Sequence, residues 1–445
     1  MAREQFSGYA LLLLFFAALG GFLFGYNTGV ISGALMFVAG EFSLSILQEG
    51  LMVSMILIGG LLGSAMGGAM ADRLGRRNSI ILTSALFVIG IWVVVMSNSF
   101  TILLTGRFIT GIAIGITSIT APLYMAEIAP AHNRGAFVSV HQLAITIGIL
   151  VSYSINFALS AKGSWRWMFG FGMVPAIVQG LGMLFLSESP SWLMANGHTK
   201  KALEVMQRLR KKTQWVKNVP EMKHVAYSHK ENGWRSLFSK SMKKALVVGL
   251  GLSLFQILSG INTVTYYAPK ILQSAGSSVS ASNALLSTIV IGIVNVIVTG
   301  TAVFLLDLQG RRKLLLIGTS GMTFGLVSLV SSLFLPLMHA EMIKLIALLI
   351  YVGFFAISLG PVTWVVISEI YPLHIRGRAM SVAIFANWLA NYIISLLFPD
   401  LVAKLSLGGT FLIFAIICAI AIWFVYKFVP ETKGKSLEEI EASLR

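Results

Sequence analysis

Long apolar runs alternate with short clusters of charge along nearly the whole chain. Twelve runs are long enough to cross the roughly 30 Å hydrocarbon core of a bilayer. They cover residues 9–34, 50–71, 79–97, 101–125, 136–160, 166–187, 245–270, 281–306, 313–337, 342–368, 378–400 and 408–428. Backbone in lipid must satisfy its own hydrogen bonds, so runs of this length are helices. The pattern predicts an all-α integral membrane protein of twelve spans. The longest polar interval, 196–244, parts six spans from six. It divides the chain into an N-terminal half (1–195), a connector (196–244), a C-terminal half (245–430) and a tail (431–445).

The seventh run departs from the apolar pattern. Residues 255–269 carry Gln256, Ser259, Asn262, Thr263, Tyr266 and Tyr267. An amide without a partner is costly in hydrocarbon, so these groups are expected to face water or another helix. At about 100° per residue, Gln256, Ser259, Thr263 and Tyr267 share one face. Asn262 joins them only where the helix loosens at Gly260. A glycine-interrupted span points to a transport site. Adhesion between helices explains the stripe equally well on these residues alone.

Composition agrees with the pattern: 56% of residues are apolar and the mean hydropathy is +0.83. The single cysteine, Cys418, lies in an apolar run and reads as helix packing. The first run follows a short polar segment with no Ala-x-Ala site, so it is expected to be a retained helix and not a signal peptide. The net charge of +16 does not imply nucleic acid, because the excess lies between spans. Loops after spans 2, 4, 8 and 10 carry Arg73, Arg76, Arg77, Arg134, Arg311, Arg312, Lys313, Arg376 and Arg378. The opposite loops carry little positive charge. That asymmetry places the arginine-rich side and both termini in the cytoplasm of a cell-membrane protein. The connector holds Arg208, Arg210, Lys211 and Lys212 and reads as short amphipathic helices near anionic headgroups. A solvated loop is the plainer alternative. No phosphate-binding Gly-x-x-x-x-Gly-Lys loop and no metal-ligand spacing is present, so no enzyme, metal or cofactor is expected. His141 stands alone at the start of span 5, where a structural role is favoured over proton relay.

The charges also repeat. Asp72, Arg76 and Arg77 after span 2 reappear as Asp307, Arg311 and Arg312 after span 8. Arg134 follows Glu127 by seven residues, as Arg376 follows Glu369. Glu188 after span 6 matches Glu431 after span 12. Three matched sets in one order describe two six-helix halves related by a parallel repeat, with a site expected between them near the midplane.

With these motifs the chain resembles the major facilitator superfamily, and within it the sugar porters. The resemblance runs over essentially the whole chain. It rests on Gly20 to Tyr26, Asp72 to Arg77, Gly106-Arg107, Pro122 to Glu127, Arg134-Gly135, Glu188-Ser-Pro190, Ser259-Gly-Ile-Asn262, Gly360 to Trp364, Glu369, Arg376-Gly377 and Pro430 to Glu438. It implies that Gln142, Gln256, Asn262, Asn295, Trp364 and Asn387 contact a sugar, with Trp388 beside them. Amides suit sugar hydroxyls, and an aromatic plane suits the C–H face. Ile257 is a departure, since relatives usually carry a second Gln there. A hydroxyl left facing it loses about 1–3 kcal/mol.

In proton-coupled relatives an Asp takes the place of Asn27 and pairs with the arginine matching Arg107. In facilitative relatives an Asn does. An amide cannot titrate, so the resemblance implies facilitative transport, with a proton symporter as the alternative. Tyr266 and Tyr267 are expected at an extracellular gate. Asp72, Arg76, Arg77, Glu127, Arg134 and Glu188, with Asp307, Arg311, Glu369, Arg376 and Glu431, are expected at a cytoplasmic gate. There, salt bridges hold the halves together while the site opens outward. The expected function is secondary transport of a monosaccharide by a monomer. A cyclic polyol is the runner-up substrate. A sugar sensor is the alternative class, and it would carry a longer cytoplasmic tail.

Overall fold

The computed structural model describes residues 7–129, 134–209, 242–274, 281–334, 340–371, 376–434 and 439. The side chains of Arg134, Asp307 and Arg376, the connector residues 210–241 and most of the tail lie outside the described residues.

The N-terminal half consists of α1 (Gly8–Glu41), α2 (Ile46–Leu74), α3 (Arg76–Val95), α4 (Phe100–Ile128), α5 (Arg134–Ser160), α6 (Trp165–Gly170) and α7 (Met173–Leu184). Two short helices follow, α8 (Pro190–Ala195) and α9 (Thr199–Leu209). The C-terminal half consists of α10 (Lys243–Leu258), α11 (Ile261–Ser274), α12 (Ala281–Gln309), α13 (Arg311–Phe334), α14 (Ala340–Ile357), α15 (Pro361–Ile370) and α16 (Arg376–Phe428). At 1.5 Å per residue, the 53 residues of α16 would reach about 80 Å, far more than one crossing. The helix breaks at Ser406, where φ is +64°, and serves as the last two spans.

Three other spans are each built from two helices. They are α6 with α7, α10 with α11, and α14 with α15. The expected loosening at Gly260 is a full break: its φ of +89° suits glycine far better than any residue with a Cβ. The tenth span breaks before Pro361, which has no N–H to offer the preceding turn.

Without a hydrophobic drive between helices in lipid, close packing holds the bundle. Gly21, Gly25, Gly29 and Gly33 recur every fourth residue along α1. A Cβ on any of them would collide with α5, at His141, Ile145, Ser152 and Asn156 respectively. Gly59 and Gly63 let α2 approach α4 in the same way, against Phe108 and Ile112. The apolar face of α9 is turned into protein. Ala202, Val205 and Leu209 are buried in one cluster with Leu13 and Ala17 of α1.

Candidate functional site

The site begins with the two broken spans of the C-terminal half. A break strands the backbone groups on either side of it. Gln256 of α10 donates from its side-chain amide to the carbonyls of Leu359 (2.8 Å) and Gly360 (3.1 Å), at the α14–α15 break. Tyr351 of α14 donates to the carbonyl of Ser259 (2.9 Å), at the α10–α11 break. Each span therefore fills the gap in the other. Asn387 of α16 closes the knot, donating to Gln256 Oε1 (2.9 Å) and to the Ser253 carbonyl (3.0 Å).

The sugar-contact positions divide by what they have left to offer. Gln256 is buried and its polar atoms are engaged by protein. Gln142 and Asn262 are half-buried, and among the described residues their side-chain amides make no hydrogen bond. Trp364 is also half-buried, with its indole N–H unengaged among those residues. Asn295 accepts from Thr299 at 3.3 Å through Oδ1, and among the described residues its NH2 group makes no hydrogen bond. Ile257 is buried at 5% exposure. Trp388 is packed between the halves, stacked on Phe24 of α1 with ring centroids 5.9 Å apart and lying over Gly60 of α2.

Asn27 and Arg107 do not meet. The Asn27 amide turns back to the Leu23 carbonyl one turn earlier in α1, at 3.0 Å. Arg107 is 1% exposed. It donates through Nε to the Met52 carbonyl (3.3 Å) and lies 5.6 Å from the centre of the Phe169 ring. Its Nη1 has no hydrogen-bond partner among the described residues.

At the arginine-rich end the sequence repeat becomes a repeated clasp. Glu188 accepts the backbone N–H groups of Arg76 (2.9 Å) and Arg77 (3.0 Å) at the start of α3. Glu431 accepts those of Arg311 (2.9 Å) and Arg312 (3.1 Å) at the start of α13. A helix N-terminus suits a carboxylate. Arg76 also pairs with Glu127 (2.9 Å) and Asp72 (3.2 Å), and Arg311 pairs with Glu369 (2.9 Å). Ser189 and Thr432 donate to Glu127 and Glu369 in corresponding fashion. These hydroxyls were missed in the sequence because a lone Ser or Thr at a helix end reads as a cap. Arg77 is spent on the carbonyls of Met183 and Leu184. Every contact of this set among the described residues stays within one half.

At the other end the halves touch. Tyr153 of α5 donates to the Thr265 carbonyl of α11 at 2.9 Å. Gly50 of α2 backs onto the Leu396 carbonyl of α16. Glu49 of α2 forms an ion pair with Lys270 of α11 at 2.6 Å. Of the expected gate tyrosines, Tyr266 accepts from Asn391 (3.4 Å) and Tyr267 donates to the Ser395 carbonyl (3.1 Å). Both are buried. Glu49 and Lys270 gave no sequence signal beyond being charges at two span ends.

A family model described as "Sugar (and other) transporter" matches residues 13–444. The chain is 43% identical to a D-xylose transporter of Levilactobacillus brevis, over 97% of this chain and 95% of that one. Among solved structures it is similar to the proton:xylose symporter XylE bound to 6-bromo-6-deoxy-D-glucose, with a TM-score of 0.82 at 35% identity, covering 98% and 99% of the two chains. It is also similar to the inward open conformation of XylE from E. coli, with a TM-score of 0.85 at 34% identity, covering 98% and 100%.

Proposed function

The chain belongs to the sugar porter family of the major facilitator superfamily, whose members are transporters and not enzymes, and on that premise we propose facilitative transport of a pentose or hexose by alternating access. The observation that carries the uncoupled reading is Asn27. Its side chain is an amide held by the Leu23 carbonyl, and it cannot take up a proton at any ordinary pH. The free amides of Gln142, Asn262 and Asn295 bind sugar hydroxyls, and the Trp364 ring covers a C–H face. Gln256 and Asn387 hold the broken spans that frame the sugar. A xylose transporter and a structure holding a glucose derivative, both among the relatives, keep pentoses and hexoses in view.

The arginine-rich end faces the cytoplasm of the cell membrane, as the loop charges require. The site then opens inward. The cross-half contacts of Tyr153, Gly50 and Glu49 close the outer side, while the described clasps stay within their own halves. Likeness to the inward open xylose transporter supports this orientation.

A counterflow assay in proteoliposomes, over labelled sugars and with or without a pH gradient, tests the proposal. Exchange of a monosaccharide without accumulation is expected. Accumulation driven by the pH gradient would overturn the uncoupled reading in favour of symport, the activity that XylE's description gives for that relative. Exchange of cyclic polyols alone would replace the substrate class.

A further inference from the structure

Alternating access requires a seal that is made and broken in every cycle. Among the described residues one ion pair joins the halves, between Glu49 Oε2 of α2 and Lys270 Nζ of α11, at 2.6 Å. The other ion pairs, such as Arg76–Glu127, Arg166–Glu41 and Arg311–Glu369, lie inside one half. The Glu49 and Lys270 side chains are 19% and 32% exposed, so the pair is only partly screened by solvent.

Glu49 stands in the first turn of α2, where the helix dipole favours an anion. Lys270 lies in α11 four residues before its end at Ser274. The two residues sit on different halves, so their attraction acts across the joint between them. Beside Glu49, Gly50 brings the α2 backbone against the Leu396 carbonyl of α16. Opening this end parts α2 from α11 and α16, and a 2.6 Å ion pair cannot survive that separation.

We propose that Glu49 and Lys270 form an electrostatic latch across the two halves that holds this end of the transporter shut. It acts on opening and not on the sugar. The inference rests on the alternating-access reading but not on which sugar is carried or on proton coupling. A partly exposed pair biases the equilibrium without trapping it, by about fivefold in the ratio of shut to open protein.

Cysteine labelling reads the latch directly. The chain's one native cysteine, Cys418, is fully buried, so the unaltered protein supplies the blank. Val53 is also fully buried. At about 100° per residue it falls on α2 between Gly50, which backs onto Leu396, and Gly60, which backs onto Trp388. Purified Val53→Cys protein is treated with a maleimide in detergent, where no pH gradient or transport is needed. Adding Glu49→Gln or Lys270→Gln should speed labelling about fivefold. The exchanged pair, Glu49→Lys with Lys270→Glu, should bring the rate back toward the slow value. Glu41→Gln, which breaks an ion pair at the same end but within one half, should leave it unchanged. Equal labelling with and without the latch charges would overturn the proposal. So would an exchanged pair that labels as fast as the single variants, which would show that the residues matter for folding and not for their attraction.

Discussion

The side-chain amide of Gln256 donates to the Leu359 carbonyl at 2.8 Å, filling a gap in a helix on the far side of a span boundary. Tyr351 returns the favour to Ser259 at 2.9 Å. Two broken spans thus stabilise each other through side chains. The residues at both breaks are buried, and side chains of the opposite span satisfy the carbonyls of Ser259, Leu359 and Gly360. Non-helical backbone at membrane depth is tolerated only under such conditions.

Gln142 and Gln256 should consequently behave differently when truncated. Gln142→Ala removes an amide that no described residue uses. Sugar affinity should fall about tenfold, the effect of about 1.4 kcal/mol, with little change in melting temperature. Gln256→Ala strips partners from the carbonyls of Leu359 and Gly360 and from Asn387. It should weaken binding and destabilise the protein by about 1–3 kcal/mol. Sugar-binding titrations beside thermal melts separate the two, and equal melting losses would show that Gln142 is also structural.

Much of the fold was legible in the chain because lipid allows so few choices. Twelve apolar runs predict twelve spans, although three of those spans are each broken into two helices and the last two share α16. The clasps were legible as a repeat, but not as clasps. Nothing in the spacing of Glu188 says that it will accept the N–H groups of Arg76 and Arg77, because those donors are backbone. The polar stripe around Gln256 was visible, but its partners were main-chain carbonyls at a break that only the packed helices reveal. Trp388, expected beside the sugar contacts, also stacks on Phe24 across the halves, a contact that no spacing in the sequence announces. The Asp–Arg pair implied for proton-coupled relatives has no counterpart between Asn27 and Arg107 here. An amide gains little from a guanidinium that a carboxylate would gain, so it bonds its own helix at Leu23.

That last difference yields a reversible test. Asn27→Asp introduces a titratable group on the same helix position, within a half that already holds a buried guanidinium with an unmade bond at Nη1. Uptake by the variant in proteoliposomes should become dependent on external pH, rising as the outside is acidified. The unaltered protein should show a flat profile. A flat profile in both would mean that the position does not control coupling in this chain.

Ile257 follows Gln256 directly and is 5% exposed, so a side chain there meets packed protein and not open water. Ile257→Gln adds a donor and an acceptor next to the sugar-contact positions. The order of preference among competing sugars should change, with gains of about tenfold for sugars whose hydroxyl meets the new amide. Competition against one labelled sugar measures it. An identical order in both proteins would remove Ile257 from the recognition surface.

The Glu431 clasp makes a prediction about acid. Partial burial raises the carboxyl's pKa, but the backbone N–H groups of Lys433, Arg311, Arg312 and Thr432 all donate to it and more than offset that effect. The net result is a carboxyl that ionises below the usual Glu range. A carboxylate with a depressed folded pKa stabilises the protein above its unfolded value, about 4.3, and that contribution disappears as pH falls through the lower folded value. Discounted for its exposure to solvent, the contribution is about 1 kcal/mol. Glu431→Gln should therefore melt lower than the unaltered protein at pH 7 and by nearly the same margin at pH 5. The two curves should converge as the pH falls from about 4.3 through the lower folded value, below which both proteins carry an uncharged group at this position. Melting profiles of the detergent-purified pair across that range measure the convergence. A margin that stays constant into strong acid would mean that the side chain's shape, and not its charge, closes the clasp.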